Sequence, residues 1–507
     1  MFIATRVGDI GTRALWADEC GQAWLAASDS LGEMYDRALQ WDRHPPLFSL
    51  GVFAIAKLGN SELMLRSLSL ASGLATLLLG YGMARQWLER FGAVAFALLS
   101  GAAPAMAFYS REARPYALAL LILTVFLYAL GRHLSSPSKS TTTGLVLTAV
   151  LGALTLYAAT FIIGACLCAA LVARGKRPPK FRVDPGLWLS LGGLVICNVF
   201  LALTFLSKYQ GLESTSAMYV KLPENASLFE SATYSFTQTV ELFGYIALGE
   251  IFGTRWGMAL YAIGCLLLAL LAAEAIRAFR SEPRVRILLV ALTGVLCGLL
   301  VLSLLRLHPF GPGRHCLVVA PLVFLCVAAA LEHLHRAMPA VAITLLASLL
   351  LMGLASSYRS ITPNYYIEDL PGALQEASLS MTPKDILIVP EHSLLSFEYY
   401  KDRFALSGMQ VFTPVTDEPP ERRAEQFLAA VPADSRCWLL LTHYTTADMR
   451  AAEEMLSRAW SKGQRITRQG AEISHWTPAV AAISVSHHAP ENLPALGIVP
   501  IPASAHP

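Results

Sequence analysis

Long apolar runs separated by short polar stretches dominate the chain from residue 66 to residue 356. A helix needs about 20 apolar residues to cross the hydrocarbon core of a bilayer. On that measure the pattern predicts spans at 66–84, 91–109, 116–134, 143–157, 158–173, 187–206, 257–276, 286–306, 315–332 and 338–356. The stretch 143–173 is read as two short crossings with a turn near Tyr157–Thr160. The run 47–59 is too short to cross and is predicted to lie in, or re-enter from, the interface. The second half of the loop 207–256 reads as another interfacial helix.

Beyond residue 356 the period changes. Segments 385–392, 409–414 and 437–444 read as strands, and 420–432 and 446–461 as helices. That alternation predicts a small α/β domain. From residue 481 the chain is rich in Ala, Pro, Ser and His and is predicted to be disordered, with His487 and His488 solvated rather than metal-bound. The predicted fold is therefore mainly α: a polytopic membrane helical bundle of about ten spans plus interfacial helices, with a small C-terminal α/β extramembrane domain. Its predicted divisions are 1–65, an external loop with a juxtamembrane helix; 66–356, the transmembrane domain; 357–480, the external α/β domain; and 481–507, the tail.

Charge orients the spans. Basic residues fall at Arg85–Arg90, at Arg132–Lys139, at Arg174, Lys176, Arg177, Lys180 and Arg182, at Arg277, Arg280, Arg284 and Arg286, and at Arg336. All these loops share one side of the predicted bundle, which the positive-inside rule makes cytoplasmic. The opposite face receives residues 1–65, the 110–115 turn, the loop 207–256, the 307–314 turn and everything after residue 356. Because MFIATRVGDIGTRALW has no apolar core like that of a signal peptide, a helix upstream of residue 1 is expected.

Composition agrees with a membrane protein. The chain is 55% hydrophobic and 15% charged, with a mean hydropathy of +0.50, whereas soluble domains carry about 25% charged residues. A net charge of +3 is too small to point to nucleic acid as a partner. Of the nine cysteines, Cys166, Cys168, Cys197, Cys265, Cys297, Cys316 and Cys326 lie in apolar runs and read as packing residues, while Cys20 and Cys437 lie in soluble stretches. There is no CxxC or HExxH, so no structural metal is expected.

Polar motifs on the predicted external face carry the candidate chemistry. Asp18-Glu19 is an acidic pair, whose bland reading is a solvated helix start. His44-Pro45-Pro46-Leu47 is an extended turn, which the prolines set without any role for the histidine. Arg111 and Arg114, in Ser110-Arg111-Glu112-Ala113-Arg114-Pro115-Tyr116, are spaced to share one face at a helix mouth. Guanidinium groups suit bidentate phosphate recognition, and lipid-headgroup anchoring is their alternative. Arg314 and His315 follow the Gly311-Pro312-Gly313 turn, and Arg66 opens the first span, where a charge can simply snorkel.

The order of these motifs resembles the GT-C membrane glycosyltransferases: acidic pair, HPPL, Arg66-Ser-Leu-Ser with a glycine two turns below, SREARPY, and PFGPGRH at 309–315. Within them it looks most like the bacterial protein O-mannosyltransferase-like branch, including Rgt-type lipopolysaccharide sugar transferases and aminoarabinose transferases. Tyr366-Ile367-Glu368-Asp369-Leu370, leading into an external α/β domain, extends the likeness, which covers residues 15 to about 400. The family places a helix before the acidic pair and commonly has an aromatic residue where His315 stands.

The resemblance implies transfer of a sugar from a polyprenyl-phosphate-linked donor to an acceptor hydroxyl at the external, periplasmic face of the plasma membrane. Asp18 would be the general base and Glu19 would orient the acceptor or a bound cation. His44, Arg111, Arg114 and Arg314 would hold the donor phosphate, with Arg66 and His315 as further lipid or phosphate contacts. A glycosyl phosphate already has a good leaving group, so a carboxylate base and cationic phosphate ligands suffice. No cofactor is required; the acidic pair is compatible with a divalent cation, which no ligand cluster demands. The partners implied are the lipid-linked sugar, a glycan, lipid or protein acceptor, and membrane lipids. Two other readings fit a polytopic chain with polar groups in its bundle: a lipid or solute transporter or flippase, and an inactive assembly scaffold.

Overall fold

The computed structural model describes residues 1–42, 44–59, 61–175, 184–205, 207, 226–248, 257–305, 308–359, 368–413, 431, 435–442, 453–454, 456–457 and 460–478. The chain divides into two compact units. The first comprises Met1–Ile10, Leu31–Ile55 and Leu63–Thr362; the second comprises Gly11–Ser30, Ala56–Glu62 and Pro363–Pro507. The acidic pair thus belongs to the second unit, and the HPPL turn to the first.

In chain order the N-terminal helices are α1 (Ala4–Val7), α2 (Ala17–Ala26), α3 (Leu31–Trp41) and α4 (Leu47–Ala56). The bundle of the first unit continues with α5 (Glu62–Ala84), α6 (Arg90–Ala102), α7 (Pro104–Tyr109), α8 (Tyr116–Ser135), α9 (Lys139–Thr155), α10 (Tyr157–Gly175) and α11 (Pro185–Thr204). It ends with α12 (Leu228–Leu248), α13 (Gly257–Ser281), α14 (Pro283–Leu304), a 3-10 turn at Arg314–Val319, α15 (Ala320–Ala337) and α16 (Pro339–Arg359). Among the described residues, six helices are long and apolar enough to cross a membrane: Glu62–Ala84, Tyr116–Ser135, Pro185–Thr204, Pro283–Leu304, Arg314–Ala337 and Pro339–Arg359. Shorter apolar helices include Leu47–Ala56, Arg90–Ala102, Tyr157–Ala173 and Ala262–Glu274. The chain is a multi-pass membrane protein.

Two breaks in the bundle have clear causes. The stretch 143–173 does form two helices, but the break falls at Leu156, whose backbone is extended (φ −157°, ψ 127°), just before the predicted turn. The predicted span 91–109 is divided at Ala103, because Pro104 has no N–H to continue the ladder. The carbonyls left over at the end of α6 then need donors, since lipid supplies none. Arg6 donates to Gly101 O (3.1 Å) and Ser100 O (3.3 Å), and Ser357 Oγ donates to Ala102 O (2.9 Å). A buried arginine and a serine thus satisfy what the proline exposes.

The second unit contains a five-stranded sheet in the order β2-β1-β3-β5-β4, with β1 Ile386–Ile388, β2 Gln410–Phe412, β3 Cys437–Thr442, β4 Trp460–Arg468 and β5 Ala471–Pro478. Strand β1 runs parallel to β2 and β3, and β5 pairs antiparallel with β3 and β4. Helices α17 (Leu370–Ser378) and α18 (Glu391–Tyr400) complete it. The first three strands lie where the sequence pattern put them. The helix expected to run to residue 461 gives way at Trp460 to a hairpin, turned through Gly470 at φ 63°. The helix expected at 420–432 lies, apart from Val431, outside the described residues, as does the 481–507 tail.

Candidate functional site

The 110–115 segment is built onto α5. Helix α5 buries Arg66, Ser69, Gly73 and Thr76 on one face. Ser69 Oγ donates to Arg114 O (3.1 Å), fixing the turn. A Cβ on Gly73 would lie 2.1 Å from Ser110 Oγ and 2.5 Å from Ser110 Cβ, so only glycine lets the turn approach this closely. The glycine two turns below Arg66 is therefore a packing requirement of the SREARPY segment.

The two arginines of that segment go to different places. Arg111, fully buried, pairs with Asp9 (Nη1–Oδ1 2.8 Å). Arg114 turns toward the HPPL segment: its guanidinium lies 5.6 Å from the ring of Trp41, and Nη2 is 3.4 Å from His44 Nδ1. The shared face inferred from their spacing does not form, because residues 110–115 link α7 to α8 as a turn, and the i, i+3 rule holds only within a helix. Arg66, fully buried, donates to Ile10 O (2.8 Å). Arg66 and Arg111 therefore both hold the N-terminal residues, while Arg114 faces His44.

Around His44 the structure gathers a cluster of polar side chains in the first unit. Asp42, just past the end of α3, is 2% exposed. It accepts from His44 N (3.2 Å), His44 Nδ1 (2.9 Å) and Ser49 Oγ (2.9 Å). The Tyr116 ring stands edge-on to the His44 imidazole, with centroids 5.9 Å apart. Arg314 is close enough for its charge to act on His44. It is delivered by the Gly311-Pro312-Gly313 turn, where Gly311 (φ 138°) and Gly313 (φ 153°) adopt conformations that side chains disfavour. His315, next along, stands edge-on to His308 with centroids 6.1 Å apart. Tyr157, at the break between α9 and α10, is within reach of the Asp42 charge, and its buried hydroxyl has no partner among the described residues. Burial, reinforced by the Arg114 and Arg314 charges, holds the His44 imidazole below its ordinary range despite Asp42, so it is neutral at pH 7.

His44, Arg114, Arg314 and His315 are thus brought together; Arg111 and Arg66 are not among them. Asp42 and Tyr157 were missed by the sequence reading, whereas Tyr116 belongs to the SREARPY motif it singled out. Asp42 left one signal, an Asx acceptor two residues before the histidine of a Pro-Pro turn.

The acidic pair stands in the second unit, in the first turn of α2, where the helix dipole favours carboxylates. Glu19 is fully buried and Asp18 is partly exposed. The approach to α2 is pinned: Tyr400 Oη accepts from Leu15 N (2.7 Å), and Glu368 Oε2 accepts from Ala17 N (3.0 Å). Glu368, from the Tyr366–Leu370 motif, thus serves to position the helix that carries the pair.

A multi-pass helical bundle together with a small mixed sheet unit is a fold shared with solved membrane-protein structures. The chain is similar to ArnT from Cupriavidus metallidurans bound to undecaprenyl phosphate, with a TM-score of 0.54 and 13% identity over 94% of this chain and 95% of that one. The apo state of the same ArnT gives a TM-score of 0.52 and 13% identity over 93% and 96%. The archaeal oligosaccharyltransferase AglB from Archaeoglobus fulgidus, in complex with an inhibitory peptide and a dolichol-phosphate, gives 0.49 and 13% over 96% and 74%. No family model matches the sequence, and no curated protein matches it.

Proposed function

We propose that the protein is an integral-membrane glycosyltransferase that moves a sugar from a polyprenyl-phosphate-linked donor to an acceptor hydroxyl at the periplasmic face of the plasma membrane. The observation that carries this reading is the convergence of His44, Arg114 and Arg314 in one cluster, within a fold similar to a protein crystallised with undecaprenyl phosphate. In the reaction the C1–O bond to phosphate breaks and its electron pair stays on the phosphate oxygen. A new C1–O bond forms to the acceptor, whose proton passes to the base. Arg114 and Arg314 offset the charge that develops on the leaving phosphate. Asp18, the partly exposed member of the acidic pair, is the base, and buried Glu19 orients what Asp18 deprotonates. The acceptor is a glycan, lipid or protein alcohol.

The test is transfer of label from a radiolabelled undecaprenyl-phosphate sugar to an envelope extract by purified full-length protein. Removing a general base costs about 10²- to 10⁴-fold in rate. Asp18→Asn should therefore lose at least 10²-fold, while Arg284→Gln, in the first turn of α14, should keep its activity. Movement of intact lipid without cleavage would instead identify a flippase, and binding without either would identify a scaffold.

A further inference from the structure

The Asp42–His44 pair has a further property, and the argument for it rests on the lipid-phosphate reading above. Asp42 is buried and takes three hydrogen bonds, one of them from His44 Nδ1 at 2.9 Å. The competing contact, Arg114 Nη2 to the same nitrogen, is longer at 3.4 Å and brings a donor rather than an acceptor. Nδ1 therefore carries the hydrogen, and in the neutral ring the lone pair sits on Nε2. Among the described residues the hydrogen bonds of His44 run through its backbone N–H and Nδ1, and its side chain keeps 13% exposure. Nε2 is the atom left for a ligand.

The groups facing the imidazole are Asp42 beside it, Arg114 and Tyr116 from the 110–116 segment, and Arg314 and His315 after the glycine turn. Tyr157 at the α9–α10 break faces the same carboxylate. The two guanidinium charges oppose a third positive charge on His44. A phosphate anion between them reverses that balance, because an opposite charge within about 4–6 Å favours the charged form by roughly 1–3 pKa units. The effect is larger for a phosphate monoester, which carries up to about two negative charges near neutral pH, than for the singly charged diester of the donor.

We propose that Asp42–His44 is a proton-uptake pair: when a lipid phosphate monoester binds, His44 takes one proton from solvent at Nε2 and donates it in a hydrogen bond to a phosphate oxygen, with Asp42 as the positioning residue holding Nδ1–H. The leaving lipid phosphate is then held by an imidazolium in addition to Arg114 and Arg314, whereas the donor diester meets a largely neutral ring.

The experiment is calorimetric titration of full-length protein in nanodiscs with undecaprenyl phosphate, at pH 6, 7 and 8, in buffers of differing ionisation enthalpy. His44→Gln supplies the baseline for the lipid phosphate's own titration. Wild type should take up close to one proton more than His44→Gln, and should bind about tenfold more tightly at pH 6 than at pH 8 beyond any change in that variant. Asp42→Asn should still bind but lose most of the uptake, whereas a purely structural Asp42 would weaken binding equally at every pH. Should the aspartate variant fail to fold, the comparison of wild type with His44→Gln decides alone. Binding without excess uptake overturns this proposal and leaves the lipid-phosphate reading intact. Absence of binding at every pH overturns both.

Discussion

At the residue scale, two arginines three positions apart have been given different work by a turn. Arg114 reaches His44, while Arg111 lies fully buried against Asp9. Charge-assisted hydrogen bonds contribute about 1.5–3 kcal/mol each, so Arg114→Gln should weaken undecaprenyl phosphate binding about 10- to 100-fold with little change in thermal stability. Breaking a buried ion pair costs about 3 kcal/mol or more, so Arg111→Gln should lower the unfolding temperature of the purified protein while sparing affinity in the molecules that remain folded. Calorimetry for the first and thermal unfolding for the second check the division; matching losses of affinity in both variants would count against it. The residue types gathered here were legible in the sequence, which singled out Arg114, Arg314 and His44 for their chemistry. Their partners were not. Asp9 and Tyr157 lie far in the chain from Arg111 and His44, and no local spacing brings them there, whereas Asp42 stands only two residues before His44.

At the scale of elements, local rules performed well where one force dominated. Apolar length placed the helices from α5 onward, and Pro104 explains the one predicted span that divides. The hairpin of β4 and β5 escaped because β4 is exposed along most of its length (Ser461, Lys462, Gly463, Gln464 and Arg465), so its sequence shows no alternating apolar face. The sheet instead depends on partners distant in sequence. Asp385, just before β1, accepts from Arg436 Nε (3.0 Å) and Nη2 (2.8 Å), from Trp438 Nε1 (2.9 Å), and from Thr382 N and Oγ1. These bonds hold its carboxyl below the ordinary range even though burial opposes the charge. A carboxyl whose folded pKa is depressed stabilises fully above its unfolded value of about 4 and loses that contribution as pH falls through the lower folded value. Asp385→Asn should therefore speed hydrogen exchange in β1 and β3 of the full chain at pH 7, by an amount corresponding to about 2–3 kcal/mol. The difference from wild type should shrink as the pH is lowered below about 4. Exchange in these strands unchanged at pH 7 would show that the aspartate is not what ties them together.

At the scale of the whole molecule, orientation in the bilayer is the property on which the proposed chemistry depends. Anionic lipids on the cytoplasmic leaflet and the insertion bias together favour placing Lys and Arg inside, and each such residue near the surface contributes about 1 kcal/mol. The basic residues at 174–182 and 277–286, with Arg85, Arg90, Arg132 and Arg336, all fall on one side of the predicted spans. Basic residues on the opposite side, such as Arg458, Lys462, Arg465 and Arg468, lie far in sequence from any predicted span. The bias is therefore summed over many residues, and no single substitution should reverse it. Single cysteines introduced at Asp29 and Lys384 should react with a membrane-impermeant maleimide added outside intact cells, in a background lacking the exposed native Cys168 and Cys297. A cysteine at Arg177 should react only after permeabilisation. The reverse pattern would put the acidic pair on the cytoplasmic face, where the donor would have to be a lipid presented from inside. In that case the chemistry of Asp18 would be intact, yet the periplasmic transfer proposed for it would be impossible.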